Sequence, residues 1–449
     1  MFERVLEALN AGRNVCLSGG AGVGKSHMAN RVIEDFRARG KKVIVVASTA
    51  VAAMLLNGRT IHSVFKLGKS NNRIELAKHD KQGFMKKALP ELNALLKGID
   101  LVVVDEVSMV SNEVFELMCY RLDTAKSAAA LLVVGDFYQL PPVRNDEKKK
   151  APKAASLDGL IEDRTDYAFM SEQWKNKRFL LLELQGSYRN SDTVFLQHLE
   201  KLRRANINED DIDYFKGFVR NLDIYSDELQ DHVILSSTNE KVDEINHNNL
   251  AKLSGKIRSS KIEVSAAKES EEIKNWVQKL PVSENLKLKV GAKVIFILNH
   301  FKGHFYNGEK GVLLEIVKGE SLLENKLKIR KDNGEIVEVL RHSFQLKRHV
   351  KDKDEIKEEV IASASAFPVR LAWAITIHKS QGMSIDNLVC ILDRIFSGGQ
   401  AYVALSRAKD PQKLIILSSE ARLKTALKFY EKKQLNKVDE FYASCEKLV

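Results

Sequence analysis

The feature that most constrains this chain is a glycine-rich loop near its amino terminus. Residues 19–26 read GGAGVGKS, which matches the pattern G-x-x-x-x-G-K-[ST], and they lie between a strand-like and a helix-like segment. Glycines let backbone N–H groups curl around phosphate oxygens, and the helix N-terminus adds its dipole. We therefore predict that Lys25 reaches the β/γ oxygens of a nucleotide and that Ser26 binds Mg²⁺. The predicted nucleotide-binding residues are Gly19, Gly20, Ala21, Gly22, Val23, Gly24, Lys25, Ser26 and His27.

Short apolar strands separated by helical patterns recur along the first third of the chain. The segments KKVIVVAST, IDLVVVDE and AALLVVGD follow the loop in turn, and this alternation is typical of βαβ units with a parallel sheet. A polar, weakly periodic stretch over 66–97 predicts a short insertion, and the charged stretch 145–167 predicts an exposed loop. A second α/β unit begins at HVILSSTNEKVDEINHNNL and resumes at WAITIHKSQG, NLVCILD and LIILSS.

The second α/β unit is interrupted by a segment with a different period. Between residues 262 and 360, polar and apolar residues alternate and glycine turns join the runs, including the hairpin signal Asp332-Asn333-Gly334. A small β-barrel inserted into the second unit explains this pattern. We expect an α/β fold with a first domain at 1–190, a second domain at 191–261 and 361–449, and the barrel at 262–360.

The composition of the chain indicates which kind of partner it binds. A net charge of +11 favours a polyanion, most often nucleic acid, and the alternative is a lysine-rich solvated surface. The four cysteines lie far apart without a CxxC pair, which argues against zinc or disulfides and favours a reducing cytoplasm. Because no apolar run approaches the roughly 18 residues of a membrane span, we expect no membrane partner.

Polar residues follow the predicted strands where nucleotide chemistry needs them. Asp105 can hold Mg²⁺ directly or through water, and Glu106 can orient or deprotonate an attacking water. Gln139, in GDFYQLPPV, can sense a γ-phosphate by hydrogen bonding. Arg189 in GSYRN and Arg407 in YVALSRAK are candidate fingers at the transition state, an effect worth roughly 10³–10⁵ in rate in related enzymes. Taken alone, each arginine would more often be part of a surface salt bridge.

Taken together, these motifs resemble superfamily 1 helicases of the 5′→3′ branch, which contains the Pif family and its RecD and Dda relatives. The matching segments, in order, are GGAGVGKS, ASTAVAA, GRTIHSVF, VDEVSM, GDFYQLPPV, YRN, WAITIHKSQGMS and GGQAYVALSRAK. The resemblance implies two RecA-like P-loop domains that clamp ATP between them, with a small SH3-like β-barrel inserted in the second domain. It also implies that Arg189 and Arg407 act as the arginine fingers.

The resemblance further implies how a nucleic-acid strand is held. In AITIHKSQGMS, Thr376 and His378 would contact strand phosphates, while Gln381 and Gly382 would face the ATP cleft. The matching contacts on the first domain would come from Ser48, Thr49, Thr60, His62, Ser63 and Phe65. Among these, His62 and Phe65 are candidates for base stacking, although ordinary core positions are the alternative for both rings.

The function implied is that of an ATP-dependent 5′→3′ DNA helicase that uses ATP and Mg²⁺ as cofactors. Its expected partners are single-stranded DNA and junctions between single- and double-stranded DNA, and we expect a cytoplasmic monomer, associated with the nucleoid in a bacterium. Two alternatives stay open. One is a translocase or clamp that hydrolyses ATP on single strands without unwinding. The other is a P-loop small-molecule kinase, which explains the glycine-rich loop but neither GDFYQLPPV nor SRAK.

The chain departs from the family at the site that recognises the base. The adenine-reading glutamine of the family lies upstream of the glycine-rich loop, whereas the first glutamine here is Gln82. The polar side chains before the loop include Asn10, whose amide is one methylene shorter than that of a glutamine. The short insertion at 66–97 also predicts a small strand-separating pin. These departures bear on base selectivity and exact subfamily rather than on the motor.

Overall fold

Two parallel sheets, each flanked by helices, form the frame of the molecule. The computed structural model describes residues 1–49, 52–53, 56, 58–83, 85–142, 167–266, 270–278, 280–298, 300, 303–319, 321, 324–352, 355–430 and 432–448. The predicted exposed loop at 145–167 lies, except for its last residue, outside this described part.

The first sheet is built from the amino-terminal α/β pattern. Its strands are β1 (Val15–Gly19), β2 (Val43–Ala47), β3 (Arg59–Thr60), β4 (Leu101–Asp105), β5 (Ala130–Val134) and β6 (Leu180–Leu184). The α-helices described in this region are α1 (Phe2–Asn10), α2 (Lys25–Ala38), α3 (Ile61–Val64), α4 (Arg73–Asp80), α5 (Met85–Lys97), α6 (Asn112–Thr124) and α7 (Glu172–Lys177). The strand order is β3-β2-β4-β5-β1-β6, and the pairing is parallel throughout.

The remaining elements follow in chain order. The strands are β7 (Val233–Ser236), β8 (Arg258–Lys261), β9 (Glu263–Ala266), β10 (Asn285–Leu288), β11 (Lys293–Phe296), β12 (Lys310–Val317), β13 (Lys326–Lys331), β14 (Ile336–Leu340), β15 (His342–Asp352), β16 (Glu355–Ala366), β17 (Val369–Leu371), β18 (Ala374–Thr376), β19 (Leu388–Ile391) and β20 (Leu414–Leu417). The α-helices are α8 (Thr193–Arg203), α9 (Glu209–Lys216), α10 (Asn239–Lys252), α11 (Glu271–Gln278), α12 (Gln400–Leu405), α13 (Glu420–Leu427) and α14 (Lys432–Ser444).

Helices cover both faces of the first sheet. On one face, α1 and α2 bury Val5, Val32 and Phe36; on the other, α5 and α6 bury Leu96 and Phe115. Strands β1, β4 and β5 are buried at every residue, and this explains why their sequences are continuous apolar runs instead of alternating ones. Each fully buried side chain of this kind contributes about 1.5–3 kcal/mol, so the covered sheet is a rigid platform for the loops at its edge.

The second sheet has the order β18-β7-β19-β20 and is also parallel. One of its faces packs against α8, α9 and α13 through Phe195, Phe215 and Leu427. The other face shares a core with the interrupting segment, where Ile234 and Val389 join residues of that segment. The predicted pair of parallel α/β units is confirmed.

The interrupting segment is antiparallel, as the alternating pattern predicts. Its sheets have the orders β14-β13-β12-β11-β17, β15-β16-β9 and β10-β8. These strands run from Arg258 to Leu371, so the predicted bounds of 262–360 are too narrow. The reason is that β17 returns to pair with β11 before the chain re-enters the second sheet. The SH3-like classification of this segment stays a prediction.

The stretch predicted as a short insertion forms two helices that belong to the first core. Leu76 of α4 and Leu92 of α5 are buried against α6 and its neighbours. Arg121 of α6, which is 1% exposed, holds the start of this stretch in place. Its guanidinium pairs with both carboxylate oxygens of Asp80 at 2.7 Å and donates to the carbonyl oxygens of Phe65 and Lys66.

The last helix of the chain departs from the predicted domain boundaries. The prediction assigns all of 361–449 to the second domain, but α14 packs against the first sheet, where Val438, Phe441 and Tyr442 join its core. After α14 the chain bonds to the edge strand β6 through Leu181, whose N–H donates to Glu446 and whose carbonyl accepts from Leu448, both at 2.8 Å. The pattern of α14 indicates a helix, and only tertiary packing decides which domain it joins.

The cysteines are free: Cys16, Cys119 and Cys390 are buried, and Cys445 is partly exposed. Within the described ranges no helix is both long enough and apolar enough to cross a membrane.

Replacing Arg121 with Met should lower the free energy of unfolding by about 3 kcal/mol, because Asp80 and two carbonyl groups lose a largely buried partner. The matched control is Arg73→Met, since Arg73 pairs with Glu116 while 54% exposed. It should cost at most about 1 kcal/mol. Urea denaturation followed by circular dichroism measures both values, and equal losses would contradict the assigned role of Arg121.

Candidate active site

The glycine-rich loop lies between the end of β1 and the start of α2. Gly19 has a φ of +138°, and a Cβ atom there would lie 2.4 Å from the carbonyl oxygen of Leu184, so this position demands glycine. The Lys25 ammonium donates to the carbonyl oxygens of Gly19 and Gly20, both at 2.7 Å. Burial lowers the pKa of Lys25, and nearby carboxylates oppose that shift. The ammonium is therefore held at the loop by two bonds that phosphate oxygens can replace.

Oxygen donors for a cation stand at the end of β4 and at the start of α2. Asp105 is 3% exposed, and its carboxylate accepts the N–H of Glu106 at 2.9 Å. Burial, followed by the charge of Glu106, raises the pKa of Asp105 to about 7. Ser26 and His27 lie in the first turn of α2, exposed to solvent. A buried carboxylate and a hydroxyl are ligands suited to Mg²⁺, which keeps waters and phosphate oxygens as its other ligands.

The loop after β5 holds the side chain of Gln139 by a buried ion pair. The Gln139 amide donates to Asp136 at 3.1 Å, and Asp136 is fully buried. Arg203 of α8 donates to both oxygens of Asp136 at 2.9 Å. Burial raises the pKa of Asp136, but the charge and hydrogen bonds of Arg203 outweigh it and leave that pKa below its ordinary value. Asp136 belongs to the motif GDFYQLPPV, whereas no pattern in the sequence distinguishes Arg203 from other helical arginines.

Gln381, in the second unit, is bonded to Glu106, which follows β4 in the first unit. Its amide donates to a carboxylate oxygen of Glu106 at 2.8 Å, and it lies in the turn that follows β18. Glu106 has a φ of +49°, a backbone conformation that costs a non-glycine residue free energy and is found at functional sites. Burial raises the pKa of Glu106, while the charges of Lys25 and Arg407 and the bond from Gln381 lower it.

Arg189 joins the glycine-rich loop to the second sheet. The N–H of its neighbour Tyr188 donates to the carbonyl oxygen of Gly22 at 2.8 Å. The Arg189 guanidinium donates to the hydroxyl of Ser384 at 2.7 Å, and to the carbonyl oxygens of Ser406 at 3.0 Å and Gly382 at 3.3 Å. Burial, together with the charge of Arg407, lowers the pKa of Arg189 to about 9. A partly exposed guanidinium, that of Arg189, and a buried one, that of Arg407, therefore interact beside the loop.

Arg407 is 1% exposed, and its hydrogen bonds stay within the second unit. It donates to the carbonyl oxygen of Val403 and to the hydroxyl of Ser406, both at 2.9 Å. Burial lowers its pKa, and the carboxylate of Glu106 acts in the opposite direction. In this conformation the side chain stabilises the end of α12 while its charge lowers the pKa of Glu106, and its role as a finger stays a prediction.

Two tyrosines contact the glycine-rich loop without having been predicted as site residues. The hydroxyl of Tyr402, in the quoted YVALSRAK, accepts the N–H of Ala21 at 2.8 Å. Tyr402 also lines a cavity of about 380 Å³ between the loop and α8. The ring of Tyr188 is 89% exposed and lies against the loop, because a Cβ atom at Gly24 would be 3.1 Å from it. Both tyrosines lie in motifs that the sequence reveals: Tyr402 in YVALSRAK and Tyr188 in GSYRN. Their positions in these motifs are the sequence feature that could have identified them as site residues.

The two units approach each other closely at Gly399, the residue before α12. A Cβ atom there would lie 2.7 Å from the carbonyl oxygen of Gln139 and 2.8 Å from that of Tyr138. Gly399 has a φ of +77°, so both its conformation and the close approach require glycine. The loop after β5 therefore contacts the second unit through its backbone as well as through Asp136.

The second-unit residues predicted to hold a strand lie in the turn after β18. Thr376 is 4% exposed, and its hydroxyl accepts the N–H of Lys379 at 3.3 Å. His378 is partly exposed, and its ring lies 6.3 Å from that of Phe396 with an angle of 15° between the planes. Burial lowers the pKa of His378, so the surroundings of the ring in this structure favour its neutral form.

The matching first-unit residues cluster at the carboxyl ends of β2 and β3. Ser48 carries a buried hydroxyl without a partner among the described residues, and the hydroxyl of Thr49 accepts the N–H of Ala52 at 3.2 Å. Thr60 precedes α3 without capping it. Ser63 accepts a hydrogen bond from Arg59 at 3.0 Å, and His62 is partly exposed beside it.

One predicted strand contact is wrong for this structure. The ring of Phe65 is 0% exposed and lies in the core of the first unit. A side chain enclosed in this way cannot stack on a base, and the apolar position at the end of α3 is explained by packing instead. The sequence does not separate these two roles, because a single aromatic residue after a short helix fits both.

Comparison with known proteins places the chain in a family. A family model described as PIF1-like helicase matches residues 1–212. The protein named ATP-dependent DNA helicase Pif1 from Campylobacter jejuni is 36% identical over 423 residues, which cover 94% of this chain and 92% of that protein. The crystal structure of Bacteroides sp Pif1 in complex with ADP-AlF4 has a TM-score of 0.77 and 24% identity, and covers 98% of this chain and 96% of that one. Bacteroides Pif1 bound to ssDNA has a TM-score of 0.65 and 26% identity, and covers 98% and 97% respectively.

The fold and the site define a P-loop protein with two RecA-like units whose facing loops meet at one phosphate-binding loop. The comparisons narrow that class, and the chain belongs to the PIF1-like helicase family. The resemblance inferred from the sequence motifs is confirmed.

The bond between Gln381 and Glu106 should be visible in the pH dependence of ATP hydrolysis. Gln381 donates to the ionised form of Glu106 and lowers its pKa, so Gln381→Ala should raise that pKa further. If Glu106 acts as the base, the acid limb of the profile of kcat/KM against pH should then move to higher pH. The control is Gln412→Ala, at an exposed position of the same unit. An acid limb that stays in place would assign the base to another group.

Proposed function

We propose that the chain is an ATP-dependent DNA helicase that translocates 5′→3′ on single-stranded DNA and unwinds duplexes. The observation that carries this proposal is the bond from Gln381 to Glu106 at 2.8 Å. Gln381 lies three residues after His378, in the turn predicted to hold the strand. One short turn therefore bears on both Glu106, the proposed base, and the candidate strand contact, which is the coupling that a motor needs.

Hydrolysis is assigned to residues that already surround the glycine-rich loop. Lys25 exchanges its two carbonyl partners for β/γ-phosphate oxygens, and Glu106 orients the attacking water and accepts its proton. Gln139, held by Asp136, contacts the γ-phosphate or the water. Arg189 and Arg407 supply positive charge as negative charge develops on the transferred group.

Mg²⁺ fits the donors present. Ser26 and Asp105 would hold it, and the raised pKa of Asp105 is the behaviour of a buried carboxylate whose ionised form a cation stabilises. The ion, when bound, supplies charge neutralisation at the phosphates.

A single strand would lie across the carboxyl ends of both sheets, where ligands of open α/β sheets bind. The residues assigned to it are Ser48, Thr49, Thr60, His62, Ser63, Thr376 and His378. The net charge of +11 suits a polyanion, and Bacteroides Pif1, a structural neighbour, has been solved bound to ssDNA. Junctions of single- and double-stranded DNA are the natural substrates of this reaction. The monomeric state and the cytoplasmic, nucleoid-associated location stay predictions.

ATP hydrolysis and strand separation should both depend on single-stranded DNA. The wild-type chain should hydrolyse ATP faster with single-stranded DNA than without it and should unwind duplexes that carry a 5′ tail but not those with only a 3′ tail. Lys25→Ala should reduce both rates by at least about a hundredfold, and Glu106→Gln should bind ATP without turnover. Phosphate release and fluorescent strand separation measure these rates. Stimulated hydrolysis without unwinding would favour the translocase, and no stimulation would contradict the proposal.

Base selectivity should be weak because the exposed ring of Tyr188 lies beside the glycine-rich loop, whereas the candidate amide Asn10 is bonded elsewhere. Tyr188 offers an exposed face there, and stacking does not discriminate between purines. Asn10 accepts a hydrogen bond from Lys41 at 3.0 Å at the far end of α1. GTP should therefore support DNA-stimulated hydrolysis within about tenfold of ATP, the worth of one hydrogen bond.

Steady-state rates with ATP and GTP at saturating single-stranded DNA measure this ratio. Tyr188→Ala should raise KM for both nucleotides by similar factors, and Tyr225→Ala, on the second unit near α10, is the control. A preference for ATP above about a hundredfold (roughly 2.7 kcal/mol) would mean that another residue reads adenine.

A further inference from the structure

The carboxyl-terminal helix α14 reaches the underside of the active site. Its residue Tyr442 is 6% exposed and lies in the core of the first unit. Its hydroxyl lies 2.6 Å from the hydroxyl of Ser18 and accepts the N–H of Phe137 at 3.1 Å. Ser18 immediately precedes Gly19, and Phe137 follows Asp136. One oxygen atom from the end of the chain therefore joins the two segments that carry the phosphate loop and Gln139.

This junction lies where two neighbouring strands separate. Strands β1 and β5 are paired as far as Leu17 and Val134; beyond that pair β1 continues to Gly19 against β6, whereas the chain after β5 turns into the Gln139 loop. Ser18 is fully buried, and Tyr442 is the partner of its hydroxyl among the described residues. The spacing between the two loops is thus fixed by a hydroxyl bridge instead of by further strand pairing.

A stack of side chains extends the junction to the second unit. The ring of Tyr442 lies 5.0 Å from that of Tyr138, with 6° between the planes, and the Tyr138 hydroxyl donates to Asp439 of α14 at 2.6 Å. The guanidinium groups of Arg203 and Arg204 lie over the Tyr138 ring at 4.8 and 5.4 Å. Because Arg203 also pairs with Asp136, the stack and the ion pair hold the same loop.

We propose that Tyr442 is a positioning residue for nucleotide hydrolysis, acting through its hydroxyl on the distance between the glycine-rich loop and the Gln139 loop. This proposal rests on the proposed function and extends it to a residue far from the motifs. Tyr442 does not touch the nucleotide. It sets the separation of Lys25 and Gln139, which must act on one transferred phosphoryl group in the transition state, where misplacement of about 1 Å can cost roughly a hundredfold in rate.

Binding of ATP in the ground state depends less on the distance between the two loops. The reason is that the amides of the glycine-rich loop and Lys25, which bind the phosphates, belong to one continuous segment of the chain. A change at Tyr442 should therefore appear in kcat more than in KM for ATP. A purely structural role would instead lower the amount of folded protein and leave the kinetics of the folded fraction unchanged.

The test compares Tyr442→Phe with Val438→Ala. Tyr442→Phe keeps the ring and its stack on Tyr138 but removes the bridge. Val438 is buried one turn earlier on α14, so Val438→Ala weakens docking of the helix without touching the hydroxyl. For both variants the thermal midpoint, the Kd for single-stranded DNA, and kcat and KM for ATP with and without single-stranded DNA are measured.

We expect Tyr442→Phe to lower kcat by about tenfold, with KM for ATP and Kd for DNA within about twofold of wild type. Val438→Ala should lower the thermal midpoint by at least as much and leave kcat within about twofold. Equal loss of kcat in the two variants, or a rise in KM with kcat unchanged, would overturn the proposal.

The double variant Ser18→Ala, Tyr442→Phe makes the test independent of folding defects. If the hydroxyl bridge is the operating contact, adding Ser18→Ala to Tyr442→Phe should change kcat little, because the bridge is already lost. If the loss of kcat in the double variant equals the combined losses of Ser18→Ala and Tyr442→Phe measured singly, the proposal is overturned. The basal rate without DNA separates this result from the proposed function: absence of DNA stimulation in the wild type contradicts the helicase function, whereas the effect of Tyr442→Phe on basal kcat still decides the role of Tyr442.

Discussion

The buried ion pair between Asp136 and Arg203 is the interaction on which the arrangement of the site depends. Both side chains are almost fully enclosed, and a charge placed there alone would be strongly unfavourable. The pair therefore forms only when the loop after β5 and helix α8 are docked together. That requirement ties a catalytic loop of the first unit to a helix of the second, so the assembled site and the docked units are stabilised together.

Burial gives the site its electrostatic character. Asp105 and Glu106 lie in an environment that raises the pKa of both carboxyl groups, while the same environment lowers the pKa of Lys25 and Arg189. Each group is thus biased away from its charged form and gains most when an opposite charge arrives. A bound nucleotide and its cation would provide such charges to both sets at once, which favours hydrolysis only when the whole assembly is present.

Much of this site could be predicted from the sequence, because most of its polar residues lie in short continuous motifs. The glycine-rich loop, Asp105, Glu106, Gln139 and Gln381 stand at strand ends that apolar runs reveal directly. Residues that act through tertiary packing carry no such signal: Arg203 looks like any helical arginine, and α14 has a helical pattern that fits either domain. Phe65 shows the converse, since an aromatic residue inside a recognisable motif proves to be core. The limits 262–360 were too narrow because strand pairing, which period alone does not reveal, brings β17 back to β11.

The path of the chain has a further consequence for how the two units can move. The polypeptide passes from the first unit to the second between β6 and α8, and it returns between α13 and α14, where the Tyr430 hydroxyl bonds to the carbonyl oxygen of Leu202 at 2.7 Å. A second connection restricts the relative rotation of the two units more than a single linker would. Any opening and closing of the cleft would therefore carry the turn at Thr376–His378 back and forth over a limited path. Because such a movement reverses itself, a net step along a strand also requires the two units to differ in their affinity for the strand at the two ends of the movement.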